Sequence, residues 1–208
     1  MAKRSATRKF FIFGPNRLGG GPGHGLVFEN KDRLRRLPRL IVRPAEGGFP
    51  TFPEAPRIVY VKKKGRPPRD LEAYLSGYWF VSERLKEIFE TVDRDAFAFV
   101  ECEYVLPDGT LGPRHYLCDV VRTIDAIDLS TSKVSIIKEQ DDVAQQQREF
   151  YSAYSGAELR FRDDVVGDAH VFFQSRLAGG PICDEILWSA CRAVPDLKGV
   201  LFRDALKL

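Results

Sequence analysis

Hydrophobic and polar residues change their spacing along this chain, and each spacing predicts a different element. The segment Tyr78–Val81 is aromatic and β-branched, which predicts a short strand. Directly after it, apolar residues recur at i, i+3, i+4 and i+7, the spacing of one helix face; these are Leu85, Ile88, Phe89 and Val92. The pattern therefore predicts a strand followed by an amphipathic helix that lies on a core.

The polar residues around this helix predict where it begins and ends. Ser82 stands just before the apolar run, and a serine there accepts a hydrogen bond from a free backbone N–H of the first turn. Glu83 follows, where a negative charge suits the positive end of the helix dipole. Asp93, Arg94 and Asp95 interrupt the apolar spacing, so we expect the helix to end there.

An aromatic and alternating pattern further along predicts a β-hairpin. Phe97–Leu106 and Arg114–Val121 are its predicted strands, and Pro107–Thr110 connects them. Asp108 and Gly109 favour the backbone angles of a tight turn.

The remaining elements follow from the same rules. Further strands are predicted at Lys9–Phe13, Leu26–Phe28, Arg57–Val61, Val134–Lys138, Glu158–Arg162, Val171–Phe173 and Val200–Phe202. A helical turn is predicted at Asp32–Leu37, and helices at Asp70–Leu75 and Ile182–Val194. Two segments are less regular: Asp141–Tyr154 is interpreted as a helix or a mobile loop, and Pro38–Pro56 as an irregular wrap over the surface.

This order of elements predicts the α+β class, with a mixed, largely antiparallel sheet and a few packed helices. We expect two regions within one compact unit. Residues 1–56 supply a basic N-terminal strand and a Gly/Pro-rich wrap, and residues 57–208 supply the main α+β domain. The chain has 208 residues, of which 44% are hydrophobic, enough for a sizeable core.

Charge is distributed unevenly, although the net charge is only +3. Residues 1–70 hold 17 Lys/Arg and 5 Asp/Glu, whereas residues 71–208 hold 15 and 24. Such asymmetry indicates either a surface for a charged partner or two regions that neutralise each other in the fold. The sequence leaves both interpretations open.

The apolar segments are too short to span a bilayer. The basic N-terminus is followed only by the run Phe10–Phe13, which Gly14 and Pro15 end, so no signal peptide is predicted. We therefore expect a cytoplasmic protein with reduced thiols and no cofactor. The cysteines lack the spacing of a zinc site and are expected to be buried and inert; they are Cys102, Cys118, Cys183 and Cys191.

A basic segment offers one candidate binding motif. Lys62–Arg69 resembles the core of an AT-hook, in which Gly-Arg-Pro lies along the narrow, negatively charged minor groove of A·T-rich DNA. The candidate nucleic-acid ligands are Lys62, Lys63, Lys64 and Arg66. AT-hooks usually occur in disordered tails and in several copies, so nucleic-acid binding is the alternative hypothesis. The glycine-rich Gly14–Gly25 lacks the lysine of a phosphate loop and is interpreted as a flexible loop.

Side chains capable of catalysis are scattered along the chain. None of the histidines belongs to a metal or nucleophile signature; they are His24, His115 and His170. His170 near Asp168 has acid–base potential, although such loose pairs are common at surfaces. Two acidic pairs suit a metal or a basic partner, with solvated loop residues as the default interpretation; they are Asp141-Asp142 and Asp163-Asp164. We therefore predict that the protein is not an enzyme.

Short segments between about Arg57 and Phe202 carry a family resemblance. They are Asp70-Leu71, Phe80-Val81-Ser82-Glu83-Arg84-Leu85, Tyr116-Leu117, Ile124-Asp125-Ala126-Ile127-Asp128 and Leu197-Lys198-Gly199-Val200-Leu201-Phe202. Their order and spacing resemble the polymorphic-toxin immunity family numbered eleven, formerly a domain of unknown function. The N-terminal region matches this family only loosely.

The resemblance implies a cognate antitoxin, which binds and blocks a bacterial toxin, often one delivered by a type VI or contact-dependent system. It implies that residues 57–208 form the immunity-type domain, that the partner is a toxin encoded by a neighbouring gene, and that no catalytic residues are to be carried over. Charge complementarity speeds such binding, so the acidic region after residue 70 is the candidate toxin-facing surface. The candidate toxin contacts are Asp141, Asp142, Asp163 and Asp164.

Overall fold

The computed structural model describes residues 8–18, 23–34, 41, 43–75, 77–141, 146–153 and 156–208. These residues form four helices: α1 (Lys31–Leu34), α2 (Glu83–Asp93), α3 (Asp163–Val166) and α4 (Glu185–Ala193). They form fourteen strands: β1 (Phe10–Pro15), β2 (Leu26–Phe28), β3 (Arg57–Tyr60), β4 (Leu71–Leu75), β5 (Tyr78–Ser82), β6 (Phe97–Val105), β7 (His115–Val120), β8 (Thr123–Ile124), β9 (Ser135–Asp141), β10 (Gln146–Ser152), β11 (Val171–Gln174), β12 (Leu177–Ala178), β13 (Ile182–Asp184) and β14 (Val200–Asp204). None of the helices in these ranges is long and apolar enough to cross a membrane.

The strands form three sheets. The six-stranded sheet has the order β2-β3-β6-β7-β5-β4, the five-stranded sheet β14-β1-β13-β11-β8, and the three-stranded sheet β12-β10-β9. Eight of the eleven strand pairs are antiparallel. The predicted α+β fold with a mixed, largely antiparallel sheet is therefore confirmed.

Each of the two larger sheets contributes to two apolar cores, because neighbouring residues of a strand face opposite sides. In β5, Val81 joins the central core and Phe80 joins the outer core of the six-stranded sheet. In β11, Val171 joins the central core and Phe172 joins the outer core of the five-stranded sheet. The helices α2 and α4 contact each other and pack into the central core.

The strand and capped helix predicted at the centre of the chain are confirmed. Ser82 ends β5, and its hydroxyl oxygen accepts a hydrogen bond from the backbone N–H of Leu85 at 3.4 Å. Leu85 and Phe89 are fully buried, while Ile88 and Val92 pack against the same core. Burying one such side chain contributes about 1.5–3 kcal/mol, whereas a cap contributes about 1 kcal/mol. The apolar stripe is therefore the main reason that α2 is held in place.

Two further predictions are confirmed. β6 and β7 pair antiparallel as a hairpin, in which Gly109 has a φ of +85° and Asp108 accepts the backbone N–H of Thr110 at 3.0 Å. The described residues of the predicted wrap, 41 and 43–56, contain neither helix nor strand. Phe49 of this wrap packs on Tyr78, with ring centroids 4.3 Å apart.

The prediction of a helix at Asp70–Leu75 is wrong, because this segment contains the strand β4. The strand lies at the edge of the six-stranded sheet and pairs antiparallel with β5. A short apolar run has no periodicity that separates a helix from a buried strand. Antiparallel hydrogen bonding to β5, which begins three residues after β4 ends, decides the outcome.

Three predictions in the C-terminal half also need correction. The helix predicted at Ile182–Val194 begins only at Glu185, because β13 occupies the first three positions between β1 and β11. The strand β10 stands where a helix or mobile loop was expected within Asp141–Tyr154, and it pairs along its length with β9. Glu158–Arg162 makes isolated bridges to two loop residues instead of forming a continuous strand.

Four predicted segments extend beyond the described residues. In Pro38–Pro56 these are residues 38–40 and 42, and in Asp141–Tyr154 they are residues 142–145 and 154. The helical turn expected at Asp32–Leu37 is observed as α1, and residues 35–37 lie outside the described part of the chain. The glycine-rich Gly14–Gly25 begins inside β1, and residues 19–22 of it lie outside the described part.

A close backbone contact beside β4 generates a stability prediction. Gly199 has a φ of +97°, and a Cβ atom added there would lie 2.4 Å from the carbonyl oxygen of Leu71. Gly199→Ala combines this clash with an unfavourable φ. We expect it to lower the free energy of unfolding by about 2–4 kcal/mol in urea denaturation.

Gly109→Ala is the matched control. Its φ is also positive, at +85°, but no atom lies within 4 Å of an added Cβ. We expect a loss of only about 1 kcal/mol. Equal losses in the two variants would show that the contact with Leu71 does not matter.

Candidate functional site

Four carboxylates are buried in the described part of the chain, and each of them bonds at least one arginine. They are Asp70, Glu72, Asp119 and Asp184. Burying a charge is costly unless the charge is paired and hydrogen-bonded. These four positions therefore show which segments the fold must bring together.

Asp70 stands directly before β4 and accepts four hydrogen bonds. Arg84 donates from Nε to Oδ1 at 2.6 Å and from Nη2 to Oδ2 at 2.7 Å. The Ser82 hydroxyl donates to Oδ1 at 2.8 Å, and the backbone N–H of Lys198 donates to Oδ2 at 2.7 Å. Burial raises the pKa of Asp70, but these bonds lower it more, so the pKa lies below its ordinary value. The carboxylate ties β4, α2 and the segment before β14 together.

Glu72 fixes the basic segment Lys62–Arg69. Its two carboxylate oxygens bond the guanidinium of Arg66, and Nε of Arg69 donates to Oε1 at 3.1 Å. Burial raises the pKa of Glu72, whereas the bonds from Arg66 and Arg69 lower it and prevail. Arg66, one of the candidate nucleic-acid ligands, is therefore engaged within the fold.

The other candidate nucleic-acid ligands have a different environment. Lys62, Lys63 and Lys64 form an exposed 3₁₀ turn between β3 and β4. The lysines thus face solvent, whereas Arg66, the residue that an AT-hook places in the DNA minor groove, is bonded to Glu72. Nucleic-acid binding stays a prediction.

Asp184 is fully buried at the N-terminus of α4. Its Oδ1 accepts a hydrogen bond from the backbone N–H of Ile186 at 3.0 Å, and its Oδ2 accepts one from Nη2 of Arg8 at 2.7 Å. The same oxygen lies 2.7 Å from Nδ1 of His170. His170 therefore bonds Asp184. The sequence had suggested Asp168 as its partner, but the side chain of Asp168 is exposed.

Asp119 on β7 holds the irregular wrap against the six-stranded sheet. Its Oδ1 lies 2.9 Å from Nη2 of Arg43, and its Oδ2 accepts the backbone N–H of Gly48 at 2.8 Å. The carbonyl of Gly48 in turn accepts the hydroxyl of Tyr78 at 3.1 Å. Burial raises the pKa of Asp119 above its ordinary value, and the contacts with Gly48 and Arg43 offset only part of this effect.

These pairs explain much of the uneven charge of the sequence. Arginines of the first 70 residues bond carboxylates beyond residue 70 in five pairs: Arg8–Asp184, Arg43–Asp119, Arg57–Glu103, Arg66–Glu72 and Arg69–Glu72. Of the two interpretations that the sequence left open, internal neutralisation is observed for these residues. Part of the positive charge of the N-terminal region is thus used inside the fold.

Metal-binding and nucleophilic side chains give no reactive constellation among the described residues. All four cysteines are buried, as predicted, and burial raises the pKa of Cys102 and Cys191 to about 12. Thiols with such pKa values stay protonated and are poor nucleophiles. No group of three or more His, Cys, Asp or Glu in the described ranges is arranged to hold a metal ion.

A pocket of about 310 Å³ lies beside α3, and we call it the α3 pocket. Its apolar lining includes Phe10, Leu159 and Phe161, and its charged lining includes Lys9, Arg160 and Asp163. Asp163 and Asp164 are exposed in the first turn of α3. An apolar recess with a charged surround suits an anchoring side chain of a protein partner.

The other predicted acidic pair is placed only in part. Asp141 is the last residue of β9, and its side chain lies outside what the structure describes. Asp142 lies outside the described residues. Asp163 and Asp164 are therefore the acidic candidates whose surroundings the structure provides.

Comparison with known families identifies the group to which this fold belongs. The sequence model of the Immunity protein family (Imm11) matches residues 9–207, nearly the whole chain. The chain belongs to the Imm11 family. Among curated proteins, none matches the chain. The Imm11 match includes β1 and the N-terminal wrap, where the resemblance in the sequence was loose.

Segments that carry the Imm11 resemblance meet around Asp70. One supplies the carboxylate, a second supplies Ser82 and Arg84, and a third supplies the backbone N–H of Lys198. Sequence reasoning interpreted Ser82 only as a helix cap and missed its bond to Asp70. Periodicity cannot link residues that lie 128 positions apart, as Asp70 and Lys198 do.

Asp70→Asn tests this junction, because it removes the charge and keeps the size of the side chain. At pH 7 we expect the free energy of unfolding to fall by about 2–3 kcal/mol, since Arg84 loses its anion. The pKa of Asp70 is lower in the folded state than in the unfolded state. Its contribution is therefore complete above the ordinary carboxyl pKa of about 3.9 and is lost as the pH falls below that value.

Urea denaturation of wild type and variant at several pH values measures this effect, and the difference between them should shrink in acid. Asp168→Asn is the control, because Asp168 is exposed, and it should change stability by less than about 0.5 kcal/mol. A difference for Asp70→Asn that stays constant down to about pH 3 would contradict the assignment.

Proposed function

We propose that this protein is an immunity protein that binds one bacterial toxin and neutralises it by stoichiometric inhibition. The observation that carries the proposal is the Imm11 match over residues 9–207. The fold supports it, because the buried ion pairs hold β4, the wrap and α4 in fixed positions. A preorganised scaffold of this kind lowers the entropy lost on binding.

The proposal includes the setting in which inhibition occurs. The toxin is encoded by a neighbouring gene, is delivered by a type VI system, and acts in the cytoplasm on nucleic acid, nucleotides or a cytosolic protein. Four free, buried thiols suit the reducing conditions of that compartment. The chemistry of the toxin itself is left open.

We propose that the toxin contacts the surface around the α3 pocket. Three features of this surface support the choice: exposed carboxylates at Asp163 and Asp164, an apolar recess, and nearby cations. Interfaces take most of their binding energy from a few side chains that fill such recesses. Charged groups around a recess steer encounter and exclude wrong partners.

Growth of a bacterial host tests the function directly. The product of the neighbouring gene should stop growth when expressed alone, and co-expression of this protein should restore colony counts. The two purified proteins should elute as one complex of fixed stoichiometry in size-exclusion chromatography with light scattering. A neighbour that is harmless alone, or whose toxicity persists on co-expression, would contradict the proposal.

Charge reversal at α3 tests the proposed contact surface. Asp163→Lys combined with Asp164→Lys should weaken toxin binding at least about tenfold in titration calorimetry, because it replaces the attractive charge by a repulsive one. Glu46→Lys combined with Glu87→Lys is the matched control, since both carboxylates are exposed on other segments. If the two double variants bind the toxin with equal affinity, α3 is not part of the interface.

A further inference from the structure

The strand β9 presents an open edge. It is the outer strand of the three-stranded sheet, whose order is β12-β10-β9, and within the described residues it pairs only with β10. In such a strand every second residue points its backbone N–H and C=O away from the neighbouring strand. An extended chain is the partner whose geometry matches this row of groups.

The side chains at the start of β9, residues 135–138, are exposed on both faces. Ile136 and Ile137 are adjacent and therefore point to opposite sides of the sheet, yet their exposed fractions are 49% and 41%. Ser135 and Lys138 on either side of them are also exposed. Residues 135–138 thus expose an isoleucine on each face of the sheet, although Tyr151 of β10, which pairs with Ile136, is buried.

Native proteins usually protect such an edge with charges, prolines or a covering segment. Three of the seven residues of β9 are charged, namely Lys138, Glu139 and Asp141, and Nζ of Lys138 lies 3.0 Å from Oε1 of Glu149 on β10. Exposed Ile136 and Ile137 do not protect the edge, because apolar side chains favour pairing with another strand. An exposed apolar edge of this kind is typical of a surface that a partner covers.

We propose that β9 accepts an extended segment of the toxin as an additional strand, so that the toxin completes the three-stranded sheet. The inference rests on the proposed function, because the family role supplies the partner. To that function it adds how the toxin is recognised, namely by pairing of a toxin strand with β9. Main-chain hydrogen bonds give affinity, and apolar side chains of the toxin strand lie opposite Ile136 and Ile137, with a hydrogen-bond acceptor opposite Lys138.

The charge of β9 favours a toxin strand over a second copy of this chain. A symmetric antiparallel pair of two β9 strands that uses all seven residues is centred on Lys138. This register places Lys138 directly opposite its own counterpart. Like charges in that position destabilise a sheet, whereas a different strand has no such constraint.

The edge is also continuous with the α3 pocket. Thr131 contributes to the pocket, and β9 begins four positions later. Between them, Lys133 pairs with Glu158, the residue before Leu159 of the pocket lining. One toxin can therefore occupy the recess and the strand edge along the same segment of this chain.

Hydrogen exchange of the wild-type protein tests the inference first, with the neighbouring toxin as the probe. Amides of β9 should exchange at least about tenfold more slowly in the complex, because they become ladder donors. The edge strand β14 is the internal control and should keep its rate. A bound toxin that leaves the exchange of β9 unchanged overturns the inference and leaves the proposed function intact.

Two proline variants, Ile136→Pro and Ile137→Pro, provide the second test. The N–H groups of neighbouring residues alternate in direction, so one variant breaks the ladder with β10 and the other removes an outward donor. The variant that keeps the wild-type melting temperature should bind the toxin roughly 10- to 100-fold more weakly. Wild-type affinity in that variant overturns the inference.

The remaining outcomes are also decisive. If both proline variants lose thermal stability, the exchange result on the wild-type complex decides. If the wild-type protein is a dimer in light scattering and Ile137→Lys makes it a monomer, a second copy covers the edge and the inference is wrong. If no toxin binds the wild-type protein at all, the proposed function fails and the inference fails with it.

Discussion

The pairing of buried carboxylates with arginines is the constraint on which this fold depends. Asp70, Glu72, Asp119 and Asp184 are largely shielded from water, and each bonds an arginine. An ion pair of this kind adds little net stability compared with apolar packing, but removing one partner is strongly destabilising. The main effect of these ion pairs is therefore to restrict how the segments that carry them can be arranged. Segments that are distant in the chain must meet for the charges to be satisfied.

The same constraint changes the meaning of the basic N-terminal region. Viewed as a linear chain, seventy residues with a large excess of positive charge suggest an anionic partner. In the fold, arginines such as Arg8 and Arg43 reach acidic residues of the second region and fasten the first strand and the wrap. Part of the charge of the wrap and of the segment before β4 is thus structural, through Arg43, Arg66 and Arg69. An external partner is better sought where side chains are exposed and not engaged within the protein.

Exposed side chains of this kind lie beside the α3 pocket, at Asp163 and Asp164, and at the start of β9, at Ile136 and Ile137. The α3 pocket and β9 are joined by a short segment, and both combine apolar groups with exposed charges. This arrangement suits the proposed function, since a protein that neutralises a toxin needs a stable body and a surface that is specific for one partner. The stable body is provided by the two larger sheets with α2 and α4 between them.

The sequence by itself determined the elements whose information is local. The apolar stripe of α2 with its Ser82 cap, the Asp108-Gly109 turn and the burial of the cysteines follow from the spacing and chemistry of nearby residues. Only the tertiary structure decided that Asp70–Leu75 contains a strand and that α4 begins at Glu185, because neighbouring strands supply the hydrogen bonds. It also decided which arginine meets which carboxylate. Some of those contacts join residues far apart in the chain, such as Arg8 and Asp184, which are separated by 176 positions. The physical reason is that pairing depends on distance in space, which no local pattern contains.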